Sequence, residues 1–262
     1  MTVLSGAVPV HVMRVAGPSA TPADLEPVGV LFDARALPDR STRLRKRAFD
    51  LVVGSILTLL ALPVIAVLAL LTLCTLRCNP FFLQRRPGTG VSEFRMIKLR
   101  TLPPSFPVQA MKPEITGCAI PRLGGWLRRT HLDELPQLLE VVAGRMSLVG
   151  PRPRLSDDVE PVDPVYDRMR RSVSPGCSGL WQISVAGAGT ATGDPSFDLF
   201  YLRNVSLRLD LWILARTVGL LLGLAGRVDL ADVPAWVQRG VAPLPVVYPV
   251  EILRPVAAED VA

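Results

Sequence analysis

The longest uninterrupted pattern in the chain is apolar. From Leu51 to Leu76 the residues LVVGSILTLLALPVIAVLALLTLCTL include 26 positions without a charge. About 20 apolar residues suffice to cross a bilayer as a helix, so length alone predicts a membrane segment. Two details complicate a straight crossing. Pro63 lies mid-run, where it removes a backbone donor and crowds the preceding turn. Basic residues stand on both flanks: Arg43, Arg45, Lys46 and Arg47 before the run, Arg77, Arg85 and Arg86 after it. Positive flanks favour the cytoplasmic side, and here they ask for it twice. A helix–break–helix that bends at Pro63 and leaves by the leaflet it entered meets both demands. A straight span stays open at this point. A second apolar stretch, 209–226, holds Asp210 and Arg216. It is expected to be an interfacial or a packed amphipathic helix and not a span, with Trp212 and Arg216, four apart, able to share a membrane-facing edge.

Other patterns are shorter. Residues 80–102, PFFLQRRPGTGVSEFRMIKLRTL, carry aromatic and branched flanks around a PGTG turn and predict a β-hairpin. From Leu132 the apolar positions 132, 135, 138, 139, 141 and 142 have helical spacing, with Gly144 as the stop. Pro136 belongs to a first turn, which puts the helix start near Asp133. The stretches 1–42 and 228–262 lack a clear period; the second is Pro-rich, with some apolar residues able to dock. Both are expected to be tails, the first one flexible. The organisation expected is therefore a tail at 1–42, a re-entrant membrane helix at 43–78, a cytoplasmic catalytic domain at 79–227 and a tail at 228–262. The fold class expected is helix-rich α+β, anchored monotopically.

Composition sharpens this. A formal charge of +6, with a mean hydropathy of +0.36, suits anionic partners: phospholipid headgroups, phosphorylated substrates or nucleic acid. Nucleic acid is the poorest of these, because the basic residues cluster beside the apolar run and aromatics make up only 6%. Cys74, Cys78, Cys118 and Cys177 contain no second close pair to complete a zinc site, so they read as reduced apolar filler. His11 and His131 are too few for a histidine cage. The opening MTVLSGAVPVHVMRVAG lacks the basic and apolar blocks of a signal peptide.

The candidate chemistry lies in RRTHLDELPQLLEVVAGRMSLVGPRPR, 128–154. Asp133 and Glu134 sit at a helix start, where free N–H groups and the dipole favour negative charge, so Asp133 is expected to stay ionised. A phosphate can approach the same end. The pair suits a nucleophile and a metal ligand; it equally suits ordinary capping. His131 reads as a capping or packing residue. Lys98 and Arg100, two apart on a strand, point to one face and suit a diphosphate, or form a solvated edge. Pro151 and Pro153 stiffen the chain around Arg152 and aim its guanidinium, as phosphate or nucleotide recognition requires. Trp181 is either core or a stacking platform.

Taken in order, these segments resemble the bacterial sugar transferases, the small monotopic polyprenyl-phosphate phosphoglycosyl transferases. The matching stretches are KRAFDLVVGS (46–55), the proline-broken run, PFFLQRRPG (80–88), FRMIKLRTL (94–102), RLGGWLRRTHLDELPQLLEVVAGRMSLVGPRPR (122–154), PGCSGLWQ (175–182) and FDLFYLRNVSLRLDLWIL (197–214). The resemblance implies transfer of a sugar 1-phosphate from a nucleoside diphosphate sugar, usually a UDP-sugar, to polyprenyl (undecaprenyl) phosphate, with release of UMP. This is the first step of lipid-linked glycan or exopolysaccharide assembly, with downstream glycosyltransferases as possible partners. It implies Asp133 as the covalent nucleophile, Glu134 as a Mg²⁺ ligand, a bend at Pro63, and Lys98, Arg100, Arg129 and Arg152 near phosphate or nucleotide. It implies a cytoplasmic-membrane enzyme of the family's short form with its site facing the cytoplasm. Departures are Ser174 where the family often has a basic residue, ISVAGAGTATGD after Trp181-Gln182, and TGCAIP before RLGG. The altered 183–193 loop leaves one competing expectation, a non-catalytic membrane adaptor on the same scaffold.

Overall fold

The computed structural model describes residues 7–15, 25–33, 37–104, 120–154, 164–185, 187, 195–239 and 247–249. Its longest element is α1, Arg40–Leu76, 37 residues and roughly 55 Å at the usual rise. The Asp39 carboxylate caps its start by accepting from the Thr42 N–H at 2.9 Å. Arg77 ends it in the left-handed region, donating its N–H to the Leu73 carbonyl. The helix runs unbroken through Pro63. The expected helix–break–helix therefore does not take the form of an interrupted helix: the missing donor costs one hydrogen bond, and the turns on either side keep theirs.

One stripe of α1 is buried: Lys46, Asp50, Gly54, Thr58, Ala61, Ile65, Leu68 and Thr72, at steps of four or three. The rest of the apolar run faces outward, with Val52, Leu59, Leu60, Val67 and Leu70 all more than half exposed. The buried stripe meets the body at both ends. Gly54 lies so close to Val141 that a Cβ there would fall 2.9 Å from Val141 Cγ1. Further along, Leu68 packs with Leu99 and Leu127 in a small second core.

The hairpin consists of β3, Phe81–Pro87, and β4, Glu93–Leu99, paired antiparallel from Phe81↔Leu99 to Pro87↔Glu93. Its numbering follows β1, Ala7–Val15, and β2, Leu25–Asp33, which pair antiparallel within the stretch read from sequence as a flexible tail. Two helices follow the hairpin: α2, Arg122–Thr130, and α3, Gln137–Val142. Strand β5, Ser147–Val149, lies parallel to β6, Gly176–Ser178. A parallel pair needs a crossover, and α4, Pro164–Arg170, lies within it. Helices α5, Leu180–Ile183, α6, Pro195–Asn204, and α7, Leu207–Leu221, complete the body. Helix α6 is buried on nearly every side, as expected of a helix at the centre of a core. Past α7, Val228, Val233 and Val237 dock into the main core. Strand β7, Val247–Pro249, pairs with β2.

Helix α7 packs on the body. Asp210 is fully buried and pairs with Lys46 of α1 at 2.6 Å. Trp212 is partly buried against the main core, with the Arg216 guanidinium 5.9 Å from its ring centre. Trp181 is likewise core.

Candidate functional site

The acidic pair lies in a 3-10 turn, Leu132–Glu134, and not in the first turn of an α-helix. The hydrogen bonds from Glu134, Leu135, Leu138 and Leu139 all reach back three residues. Pro136 has no N–H to give a four-residue bond, and the three-residue pattern persists through Leu139. His131 precedes the turn at φ 55, exposed, and ends α2 by donating its N–H to Arg128 O and Leu127 O. Its role is a backbone cap.

Glu134 faces a small cleft walled, among others, by Arg86, Lys98, Gln137, Arg152 and Cys177. The Lys98 ammonium meets Glu134 Oε1 at 2.7 Å, and Arg152 Nη2 approaches the same oxygen at 3.5 Å. Burial disfavours the Glu134 anion, yet Lys98 and Arg152 outweigh it and hold the carboxyl down at about 2. Lys98 is pushed below the ordinary lysine value, first by its own burial and then by Arg152, despite Glu134. Both values fall, but for opposite reasons: the cations favour the Glu134 charge, whereas burial with Arg152 and Arg86 disfavours the Lys98 charge by more than Glu134 restores. Asp133 is 9% exposed and lies beside this cleft, not on its wall. Burial, then the Glu134 charge, pushes its pKa above the usual aspartate value, against Lys98 and Arg128. The helix-terminus argument pointed the other way; desolvation wins because the turn is packed into the body.

Of the cations named from sequence, Lys98 and Arg152 come together here. Arg100 does not: it lies past the end of β4, donates Nε to Asn79 O at 2.9 Å and sits 5.7 Å over the Phe82 ring. Arg129 is exposed on the outer face of α2 with Arg122 and Trp126, at helical spacing. Its neighbour Arg128 turns inward, donates to Thr101 Oγ1 at 2.8 Å and lowers Asp133. Arg86 was counted only as a membrane flank, yet it walls the cleft and donates to Gln84 Oε1 at 2.7 Å. The signal was available: Gln84 pairs with Met96 and Phe82 with Lys98, so Gln84 and Arg86 share the Lys98 face of the hairpin. Gln137 gave no such signal. Among the described residues no group of three or more His, Cys, Asp or Glu is gathered for a metal ion. Ser174 receives a 3.3 Å hydrogen bond from Thr89. The other departures, TGCAIP and the 183–193 loop, lie largely outside the described residues, as does Cys118.

A cationic cleft with one gripped glutamate and one buried aspartate suits phosphoryl transfer. The profile of the family described as bacterial sugar transferase matches residues 41–223. The chain belongs to that family. This sugar transferase is 36% identical over 217 residues to a UDP-glucose:undecaprenyl-phosphate glucose-1-phosphate transferase of Caulobacter vibrioides, covering 77% of the chain and 79% of that relative. It is 32% identical to the exopolysaccharide production protein ExoY of Rhizobium meliloti over 67% of the chain and 84% of that protein. A UDP-galactose-lipid carrier transferase of Erwinia amylovora is 34% identical over 74% of the chain and 44% of its own length.

Proposed function

We propose that this transferase moves a sugar 1-phosphate from a UDP-sugar to polyprenyl phosphate and releases UMP, through a covalent sugar-phosphoryl aspartate at Asp133. The observation that carries the reading is the cleft itself, where Lys98 and Arg152 converge on Glu134 beside a buried Asp133. Phosphoryl transfer asks mainly for positioned charge, and this cleft supplies it from three elements. A carboxylate whose anion is disfavoured by burial is the stronger nucleophile once ionised. In the first step an Asp133 oxygen bonds to the β-phosphorus. The bond to the oxygen bridging the α-phosphate breaks, and UMP leaves with the electron pair. In the second step a lipid phosphate oxygen attacks the same phosphorus and Asp133 departs as a carboxylate. The acceptor is already an anion, so no strong base is needed.

The donor set fits Mg²⁺, which takes one or two protein carboxylates and fills its other positions with water and substrate phosphate. Both ion pairs run to Oε1 of Glu134, which leaves Oε2 to hold the ion. When bound, Mg²⁺ would neutralise charge on the diphosphate.

The attachment of α1 supports a monotopic placement at the cytoplasmic membrane, with the cleft facing the cytoplasm. Lys46 near its start is tied to Asp210, and Leu68 near its end packs on Leu99 and Leu127. Both ends are thus fastened to one polar body, which a full crossing would divide between two sides of the bilayer. The exposed Arg122, Trp126 and Arg129 of α2 suit the headgroup layer. The deciding experiment is UMP release from UDP-sugars with polyprenyl phosphate and Mg²⁺. Wild type is expected to release UMP, Asp133→Asn none, and Glu134→Gln only at much higher Mg²⁺. Near-normal release by folded Asp133→Asn would end the covalent scheme, and absence of any wild-type release would favour the adaptor.

A further inference from the structure

The segment Pro151-Arg152-Pro153 has an unusual hydrogen-bonding constraint. Two of its three residues have no backbone N–H, so it is anchored chiefly through its carbonyls. Each carbonyl has its own donor. The Gly176 N–H reaches Pro151 O at 3.0 Å, Arg170 Nη2 reaches Arg152 O at 2.6 Å, and Arg86 Nη1 reaches Pro153 O at 3.0 Å. Gly176 and Arg86 belong to the cleft wall, but Arg170 does not. It lies at the end of α4 with only 8% of its surface exposed. Its Nε donates to Asp198 Oδ2 at 2.6 Å, and its guanidinium carbon stands 5.6 Å from the Tyr166 ring centre. The Tyr166 hydroxyl donates to the same Asp198 oxygen at 3.0 Å.

We propose that Arg170 is a positioning residue for the transfer reaction, a buried strut that holds Arg152 at the angle from which its guanidinium addresses the cleft. The planar fork of Arg170 makes this possible. One edge is fixed by Asp198, which Tyr166 orients in turn, and another nitrogen is left to grip the Arg152 carbonyl. Asp198 sits on α6, deep in the core. The strut therefore refers the position of Arg152 to the most deeply buried helix of the body. A lysine at 170 supplies a single ammonium centre and cannot span both partners in the same geometry.

The inference rests on the reading of Arg152 as a donor-phosphate contact, and the test separates the two. Arg170→Lys, Arg152→Ala and the double variant are purified alongside wild type. Donor KM and kcat are measured by UMP release with whichever of UDP-glucose, UDP-galactose and UDP-N-acetylgalactosamine wild type turns over. Arg170→Lys is expected to raise donor KM about tenfold, since a small misplacement of a binding group costs on that order. In the Arg152→Ala background the same substitution should change KM by less than about twofold, because the group it positions is gone. Tyr166→Phe keeps the ring under the guanidinium and loses one hydrogen bond. It should give a smaller KM rise that also disappears with Arg152→Ala, and it serves if Arg170→Lys does not fold. Equal factors in both backgrounds would mark a merely structural ion pair and overturn the proposal. So would a wild-type donor KM in Arg170→Lys and Tyr166→Phe while Arg152→Ala raises it. An unchanged KM in Arg152→Ala would remove the underlying reading, and the strut with it.

Discussion

Lys46 and Asp210 are 164 positions apart in sequence and 2.6 Å apart in space. They fasten the start of α1 to α7. Asp210 has no exposed surface. The Tyr201 hydroxyl donates to its other oxygen at 2.9 Å, and burial still pushes its pKa up against the pull of Lys46. Desolvation therefore exceeds the attraction, and the pair should behave asymmetrically. Lys46→Met leaves a buried carboxylate with only a hydroxyl partner and should cost about 3–5 kcal/mol. For a chain of this size that is a fall in Tm of roughly 6–20 °C. Asp210→Leu should cost less, because Lys46 keeps Asp50 at 4.0 Å. Lys46→Met/Asp210→Leu removes both charges of the 2.6 Å pair and leaves Asp50 its hydrogen bond from the Leu148 N–H, so it should recover most of the Lys46→Met loss. The assay is thermal unfolding of all four proteins in one detergent, read by circular dichroism, with UMP release as a check that the double variant remains an enzyme. A coupling energy under about 0.5 kcal/mol, meaning additive effects, would refute the reasoning. The first turns of α1 would then be held by their other contacts, among them the Arg47 hydrogen bonds to the Val141 and Val142 carbonyls.

Two further outcomes follow from the site and from the membrane helix. Folding raises the pKa of Asp133, so its ionisation works against the fold: Asp133→Asn should have a higher Tm than wild type at pH 7, with the gain fading as pH falls toward the ordinary aspartate value and gone below it. Glu134 has the opposite sign, held at about 2 from 4.5, so Glu134→Gln should lower Tm at pH 7, with the deficit shrinking as pH drops from 4.5 toward 2. A pH-independent Tm difference in either variant would contradict the electrostatic account. For topology, single cysteines at Thr89 and before Arg40, in a background without native cysteines, should both resist an impermeant thiol reagent in intact cells and react after lysis. Labelling of the position before Arg40 in intact cells would require a full span.

The patterns that repeat locally were legible in the sequence. The charge-free run, the hairpin around PGTG and the helical spacing after Leu132 each announce themselves within a few turns or a few residue pairs. The LDELPQ and VGPRPR segments marked the acidic pair and Arg152 by their neighbours alone. The fate of individual charges was not legible. Of the cations flanking the membrane run, Lys46 is buried against Asp210, Arg47 donates to the Val141 and Val142 carbonyls at the end of α3, and Arg86 walls the cleft. Arg100 and Arg128 show the same thing in miniature: position along a strand or helix gave a face, and packing decided what that face met. Pro63 punctuated the run without interrupting the helix. Arg170 belongs to none of the matching segments, yet it grips the backbone of Arg152 while Asp198 of a distant helix holds it from behind. Periodicity is a property of neighbours in the chain, and it sets which side of an element is apolar. The partner of a charge, and whether burial or attraction dominates its pKa, depends on groups brought together from distant segments. That information exists only once the chain is folded.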